Sequence, residues 1–208
     1  MTTPAPWIVV TGLDGSGKTT LSCRLAQERG GFHFRLPHHE FVKAALTRSG
    51  YGDPYGDAHT DRLVFAADAR LTNYLIREWR QTHPLLVSQR GWMDSFVFGV
   101  VQGISYQETD SLLRTPELER PSAIVHLVAE PQAAYERICH DPDADKYETL
   151  QFMRRQYQAT VDFFHAVQAD LPVLAPFAGI PALLIDTTQR TPEEVYATAE
   201  RFLFGQEG

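Results

Sequence analysis

Apolar positions along this chain fall into five short runs separated by longer stretches of helical period. Trp7-Ile8-Val9-Val10-Thr11 and Ala123-Ile124-Val125-His126-Leu127-Val128 are nearly continuous apolar runs, the pattern of strands buried on both faces. Phe32-His33-Phe34-Arg35, Pro84-Leu85-Leu86-Val87-Ser88 and Ala182-Leu183-Leu184-Ile185 predict three more strands. Between them lie the helical stretches. Leu21 and Leu25 share a face after the first strand. A weak pattern through Phe41, Ala44 and Ala45 predicts a helix over 38–47, and the Gly/Pro/Asp-rich stretch 49–57 predicts a loop. Positions 58–80 read as one long helix whose apolar face is Leu63, Ala66, Ala67, Leu71, Tyr74 and Leu75. Ser105 with Glu108, and Thr191-Pro192-Glu193-Glu194, are capping boxes that open two further helices. Pro131 starts another, a long helix runs from about Thr149 to Ala169, and Pro172 to Pro181 is a proline-punctuated connection.

Strands alternating with helices, none joined by hairpin turns, imply a parallel five-stranded sheet flanked on both faces, an α/β three-layer fold in a single domain over 1–208. In such a sheet ligands bind beyond the carboxyl ends of the strands. Three stretches end there. Gly12-Leu13-Asp14-Gly15-Ser16-Gly17-Lys18-Thr19 follows the first strand and satisfies G-x-x-x-x-G-K-[ST], the phosphate loop of P-loop NTPases, in its required strand–loop–helix setting. Backbone N–H groups of Gly15, Ser16, Gly17, Lys18, Thr19 and Thr20 would cradle phosphates, with the helix N-terminus adding positive charge. Lys18 would reach the β/γ-phosphates of ATP, and the Thr19 hydroxyl would hold Mg²⁺. Arg35 and Arg90 follow the second and third strands toward the same cleft.

Composition narrows the function classes. The 208 residues carry a net charge of −7, which argues against nucleic acid as the partner. The two cysteines, Cys23 and Cys139, show no metal-ligand spacing and fit a reducing, cytoplasmic compartment; Cys23 is expected as a small buried residue of the first helix. No apolar run approaches the roughly 18 residues of a membrane span, and no signal-type segment opens the chain. Asp141, Asp143 and Asp145 have the spacing of a calcium loop, but Lys146 occupies its glycine position and Phe152 its glutamate position. His38-His39 lacks a nearby third ligand. The guanine-reading N-K-x-D motif of GTPases is also missing: the only asparagine, Asn73, is followed by Tyr74.

The order of the remaining features resembles the thymidylate kinase family of nucleoside-monophosphate kinases over nearly the whole chain. Arg35-Leu36-Pro37 is similar to the family's Arg-Phe-Pro, and Leu63-Val64-Phe65-Ala66-Ala67-Asp68 to its Leu-Phe-Ala-Ala-Asp helix. Gln89-Arg90-Gly91, with Phe96-Val97-Phe98 after it, stands where the family has Asp-Arg-Tyr and a downstream aromatic. Asp145-Lys146-Tyr147-Glu148 is similar to the family's lid, expected near 139–148 and mobile. The resemblance implies that Asp14 accepts from the acceptor's sugar hydroxyl, that Arg35 and Arg90 hold its phosphate, that Phe65 stacks on its base and Phe98 walls its sugar. Each aromatic fits a plain core role equally, and Asp14 also fits as an acid at a helix N-terminus. Lys146 would meet the transferring phosphoryl group; Arg137 either assists it or is a solvated helix charge. A homodimer through the long helices is implied as well.

The expected reaction is transfer of the ATP γ-phosphoryl to a small deoxynucleoside monophosphate, dTMP or a related pyrimidine nucleotide. The nucleophile is an ionised phosphate oxygen, so no general base is needed. Gln89 replaces the family's aspartate and contributes no charge toward the metal. The rivals are a deoxynucleoside kinase, for which His39-Glu40 offers the nearest carboxylate, and a non-catalytic ATP-binding module. At the base, family members place an arginine four residues after the stacking phenylalanine, against the thymine edge; this chain has Ala69 there and Arg70 one later. One residue turns a side chain about 100° around a helix. Either Arg70 reaches around, or Ala69 leaves room for a bulkier or more polar substituent such as 5-hydroxymethyl, or a local helix shift restores the ordinary contact.

Overall fold

The computed structural model describes residues 3–40, 42, 58–139 and 149–205. The 49–57 loop, the acidic stretch 141–145, Lys146 and most of the helix expected over 38–47 lie outside the described residues. The elements are β1 (Trp7–Gly12), α1 (Lys18–Glu28), β2 (Phe32–Arg35), α2 (Ala58–Thr82), β3 (Leu86–Gln89), α3 (Asp94–Val101), α4 (Tyr106–Leu113), β4 (Ala123–Val128), α5 (Pro131–Ile138), α6 (Leu150–Gln168), β5 (Ala182–Asp186) and α7 (Pro192–Phe204).

The five strands form one sheet in the order β2-β3-β1-β4-β5, every pair parallel. The central strand β1 alternates its side chains between two cores. Trp7 and Val9 join Phe34, Leu86, Ile124, Phe96 and Phe163 on one face; Ile8 and Val10 join Leu21, Leu25, Val87, Leu127 and Val195 on the other. Burying the Trp7 indole leaves its N–H to be satisfied, and Nε1 donates to Ser88 Oγ at 2.9 Å. Both expected capping boxes form, at Ser105/Glu108 and Thr191/Glu194.

The run Phe96-Val97-Phe98 belongs to helix α3, which opens without a side-chain cap on its N-cap residue Met93; an uncapped apolar run carries no helical signature in sequence. Two expectations are corrected. Cys23 is exposed. The face that α2 buries is not its apolar one. Leu63 is 56% and Tyr74 64% exposed, whereas Arg62, Ala66, Asp68, Ala69, Asn73 and Ile76 are buried. Those positions recur at three- and four-residue steps and form a continuous stripe, so α2 turns a partly polar face inward, toward the cleft.

Candidate functional site

The phosphate loop is shaped by backbone conformations that glycine alone adopts without strain. Gly12 (φ 125°) passes so close to β4 that an added Cβ would lie 1.9 Å from the Leu127 carbonyl oxygen, and one on Gly15 (φ 74°) would lie 2.3 Å from that of Ala134. Gly17, the N-cap of α1 at φ 93°, has open space where a side chain would stand. That opening, in front of N–H groups with no intrahelical acceptor, fits an oligophosphate. The loop's outer side is clamped from β5: the Thr187 hydroxyl lies 3.1 Å from both Ser16 O and Val128 O. Arg137 of α5 donates to Gly15 O at 3.0 Å and to the carbonyls of Thr187 and Thr188 at 3.1 and 3.0 Å. Arg137 is exposed, yet these bonds tie it to the loop. Gly15, Gly17, Thr20, Arg24, Arg137 and Tyr196 border an open cleft of about 280 Å³.

On the loop's inner side three charges meet. Lys18 Nζ donates to Leu13 O at 2.8 Å and to Asp14 Oδ1 at 2.9 Å, and the Arg90 guanidinium bonds the same carboxylate oxygen. Burial alone would raise the Asp14 carboxyl, but Arg90 and Lys18 outweigh it and hold the group well below the usual carboxylate range. Burial lowers the Lys18 ammonium, opposed by Asp14 and reinforced by Arg90. Arg90 owes its position to β3, which it follows with a left-handed backbone (φ 67°), its N–H donating to Val10 O at 2.8 Å. Asp94, which the sequence reading did not single out, secures that turn: it accepts from Gly91 N at 2.8 Å and from the Thr11 hydroxyl at 2.6 Å. Burial raises the Asp94 carboxyl, with Arg90 opposing.

Beyond Arg90 lies a second, narrow pocket, a cavity of about 20 Å³ bounded by Leu36, Pro37, Arg62, Phe65, Asp68, Ala69, Asp94 and Phe98 among others. The Asp14–Arg90 bond is the junction between pocket and phosphate loop. Phe65 and Phe98 face each other with centroids 6.4 Å apart. Arg90 Cζ lies 5.4 Å from the Phe98 ring centre, and Arg62 Cζ lies 4.6 Å from that of Phe65 and 5.7 Å from that of Phe98, within cation–π range. Asp68 accepts from the backbone N–H groups of His38 and His39 at 2.9 Å, ordering the chain just after β2.

Asp14, Lys18, Phe65, Arg90 and Phe98 are thus brought together, and Thr19 and Thr20 open α1 beside them. Arg35 ends β2 in register with Gln89 but is exposed and outside the pocket's lining. Arg70 is not brought to the pocket. It pairs with Glu117 Oε2 at 2.8 Å and donates to Leu113 O at 3.3 Å, while Ala69 holds the place on the lining. The rotation of one residue along α2 accounts for this. Arg62 and Thr187 were also missed; Arg62 stands three residues before Phe65, a same-face spacing that could have found it. Among the described residues no group of three or more His, Cys, Asp and Glu is arranged to hold a metal, and no helix is long and apolar enough to cross a membrane.

No family model matches the chain. It is 25% identical to a probable thymidylate kinase of Methanocaldococcus jannaschii, over 91% of each chain. It is 27% identical to one of Pyrobaculum aerophilum over 92% of each chain, and 28% identical to one of Pyrobaculum calidifontis over 72% of this chain and 77% of that relative. Its fold matches the solved thymidylate kinase of Candida albicans with a TM-score of 0.78 at 15% identity, covering 100% of this chain and 94% of that one.

Proposed function

We infer, from a chain that is thymidylate kinase-like in motif order, relatives and fold, that it transfers the γ-phosphoryl of ATP to a pyrimidine deoxynucleoside monophosphate of the dTMP class. The observation that carries this reading is the Asp14–Lys18–Arg90 cluster, where the phosphate loop meets a second, aromatic-walled pocket ending in a guanidinium. Two phosphate-seeking sites sharing one carboxylate suit a donor and an acceptor that both carry phosphate.

The roles follow from the surroundings of each group. The phosphate-loop N–H groups and Lys18 bind the donor's phosphates, and Lys18 exchanges its present bonds to Leu13 O and Asp14 for phosphate oxygens. Arg90 presents its fork to the acceptor phosphate, a bidentate match, and Arg35 joins it from the rim. Asp14, kept ionised by its two cations, orients Arg90 and accepts from the acceptor's sugar hydroxyl. Phe65 and Phe98 flank base and sugar. Transfer then rests on alignment and charge neutralisation. Thr19 would hold Mg²⁺, which neutralises charge on the transferring phosphoryl when bound. Asp94 is the buried carboxylate nearest the place of the family's missing aspartate in sequence, but its oxygens already serve Thr11 and Gly91. The lid near 139–148 supplies Lys146.

A homodimer in the cytoplasm completes the reading. The exposed Leu63, Leu71 and Tyr74 on α2 support the first, and the free, widely spaced cysteines support the second. ADP release measured with Mg-ATP against nucleoside monophosphates and free nucleosides tests the proposal. Turnover with deoxynucleoside monophosphates is expected. Turnover with nucleosides alone would make the chain a nucleoside kinase, and none with any acceptor would make it a binding module.

A further inference from the structure

We propose that Asp68 is a positioning residue that fixes the separation between the two ends of the acceptor site, and so favours a ligand carrying both base and 5′-phosphate over a nucleoside. This rests on the kinase reading above, in which Arg90 holds the phosphate and Phe65 meets the base. The two residues stand on different layers. Arg90 follows β3 at the strand ends, whereas Phe65 belongs to α2, which packs on α3 and α4. The segment Leu36-Pro37-His38-His39 after β2 bridges them. At its start, Leu36 N donates to Gln89 O at 3.0 Å, one residue before Arg90. At its end, the N–H groups of His38 and His39 each donate to Asp68 Oδ1 at 2.9 Å, and His38 N also reaches Oδ2 at 3.0 Å. Asp68 stands three residues after Phe65, on the same side of α2, and Leu36, Pro37, Phe65 and Asp68 line one pocket.

The side chain suits that task and no smaller one. Asp68 is 1% exposed, and a buried carboxylate is costly unless its oxygens are satisfied. Here two successive backbone N–H groups satisfy them, so its burial is spent on holding one short segment against α2. A carboxylate offers acceptors on both oxygens; an amide offers one and would turn an N–H toward His38 N. The narrow pocket therefore widens for an acceptor by rotation of its side chains, while this clasp keeps the backbones of α2 and the β2 end together. A ligand gripped at both ends depends on that separation, because misplacing one grip by about 1 Å can cost as much as 100-fold. A ligand gripped only at the base does not.

The test compares the wild-type protein with Asp68→Ala and Asp68→Asn, well below their unfolding midpoints. Calorimetry gives the affinities for dTMP, thymidine and a non-hydrolysable ATP analogue, and ADP release gives KM and kcat. Asp68→Ala should weaken dTMP binding and raise its KM roughly 10- to 100-fold, with thymidine and the ATP analogue each changed less than about threefold. Asp68→Asn should fall between Asp68→Ala and the wild type, and it carries the same comparison if the alanine variant does not fold. A residue that merely stabilised the fold would leave the dTMP-to-thymidine affinity ratio where it was. An unchanged ratio in a folded variant, or ATP-analogue binding weakened as much as dTMP binding, overturns the proposal. Absence of ADP release by the wild-type protein with every nucleotide would instead sink the kinase reading, and the binding ratio, read without ATP, would still decide the role of Asp68.

Discussion

Replacing Arg90 by alanine separates acceptor binding from donor binding, and its cost can be worked from the contacts. Arg90 and Asp14 are mostly buried, 12% and 15% exposed. Orphaning a buried charge costs about 3–5 kcal/mol, but Asp14 keeps Lys18 at 2.9 Å, so the fold should lose only about 1–3 kcal/mol. Alanine also inherits the left-handed backbone at φ 67°. Arg90→Gly relieves that strain and should be about 1 kcal/mol more stable than Arg90→Ala. Both lose the same fork toward the acceptor phosphate, about 2–4 kcal/mol of transition-state stabilisation, or roughly 30- to 1000-fold in kcat/KM. The assay pairs kcat/KM for the best nucleotide with calorimetric binding of a non-hydrolysable ATP analogue and a denaturant midpoint. Two equally slow variants of different stability, both binding the analogue normally, are the expected result. Analogue binding weakened as much as turnover would place Arg90 on the donor and refute the reasoning.

Lys18→Ala should abolish phosphoryl transfer and leave a cooperative thermal transition; near-normal turnover in the purified variant would rule out the ATP site. Gly12→Ala drives a Cβ to within 1.9 Å of Leu127 O at φ 125° and should cost at least about 3 kcal/mol, read as a fall in denaturant midpoint; an unchanged midpoint would contradict the loop geometry. His126 of β4 is buried beside Phe163 and Phe164, and burial pushes its pKa down to about 4 from 6.5. The unfolded chain binds the proton first, so its contribution is complete above pH 6.5 and falls, by up to about 3 kcal/mol, as pH drops through 6.5 toward 4. His126→Leu should flatten that part of the stability–pH curve, and an unaltered slope would remove His126 as its source.

The sheet was legible because each strand is a compact apolar run between helix signals, and a two-face core leaves little choice of register. The phosphate loop was legible because its glycines answer to backbone conformations and close approaches that no other residue tolerates. The long helix α2 misled for the reverse reason. Its apolar residues Leu63, Leu71 and Tyr74 face outward, and its buried stripe contains Arg62, Asp68 and Asn73. Periodicity locates the core face of a helix only while the core is what that face meets. Here that face borders a pocket at Arg62 and Asp68, and further along Asn73 bonds the backbone of Glu117 and Glu119.

The same reasoning explains why Asp94 escaped notice. Carboxylates near a strand end are sought beside the arginine, and Gln89 occupies that place. The negative charge instead stands five residues on, at the first turn of α3, where a helix N-terminus favours it and where it can accept from both Gly91 N and Thr11. Nothing in a linear motif shows that position 94 returns to the end of β1; only the fold of α3 over the strand ends does. The chain thus departs twice, in the same manner, from the motif it resembles. The motif charge is missing at 69 and at 89, and a like charge borders the same pocket from elsewhere, Arg62 two turns earlier and Asp94 five residues later. Motif matching scores both as losses, whereas the pocket, which senses position in space, retains an arginine and a carboxylate. Its selectivity therefore has to be argued from the lining and not from the pattern.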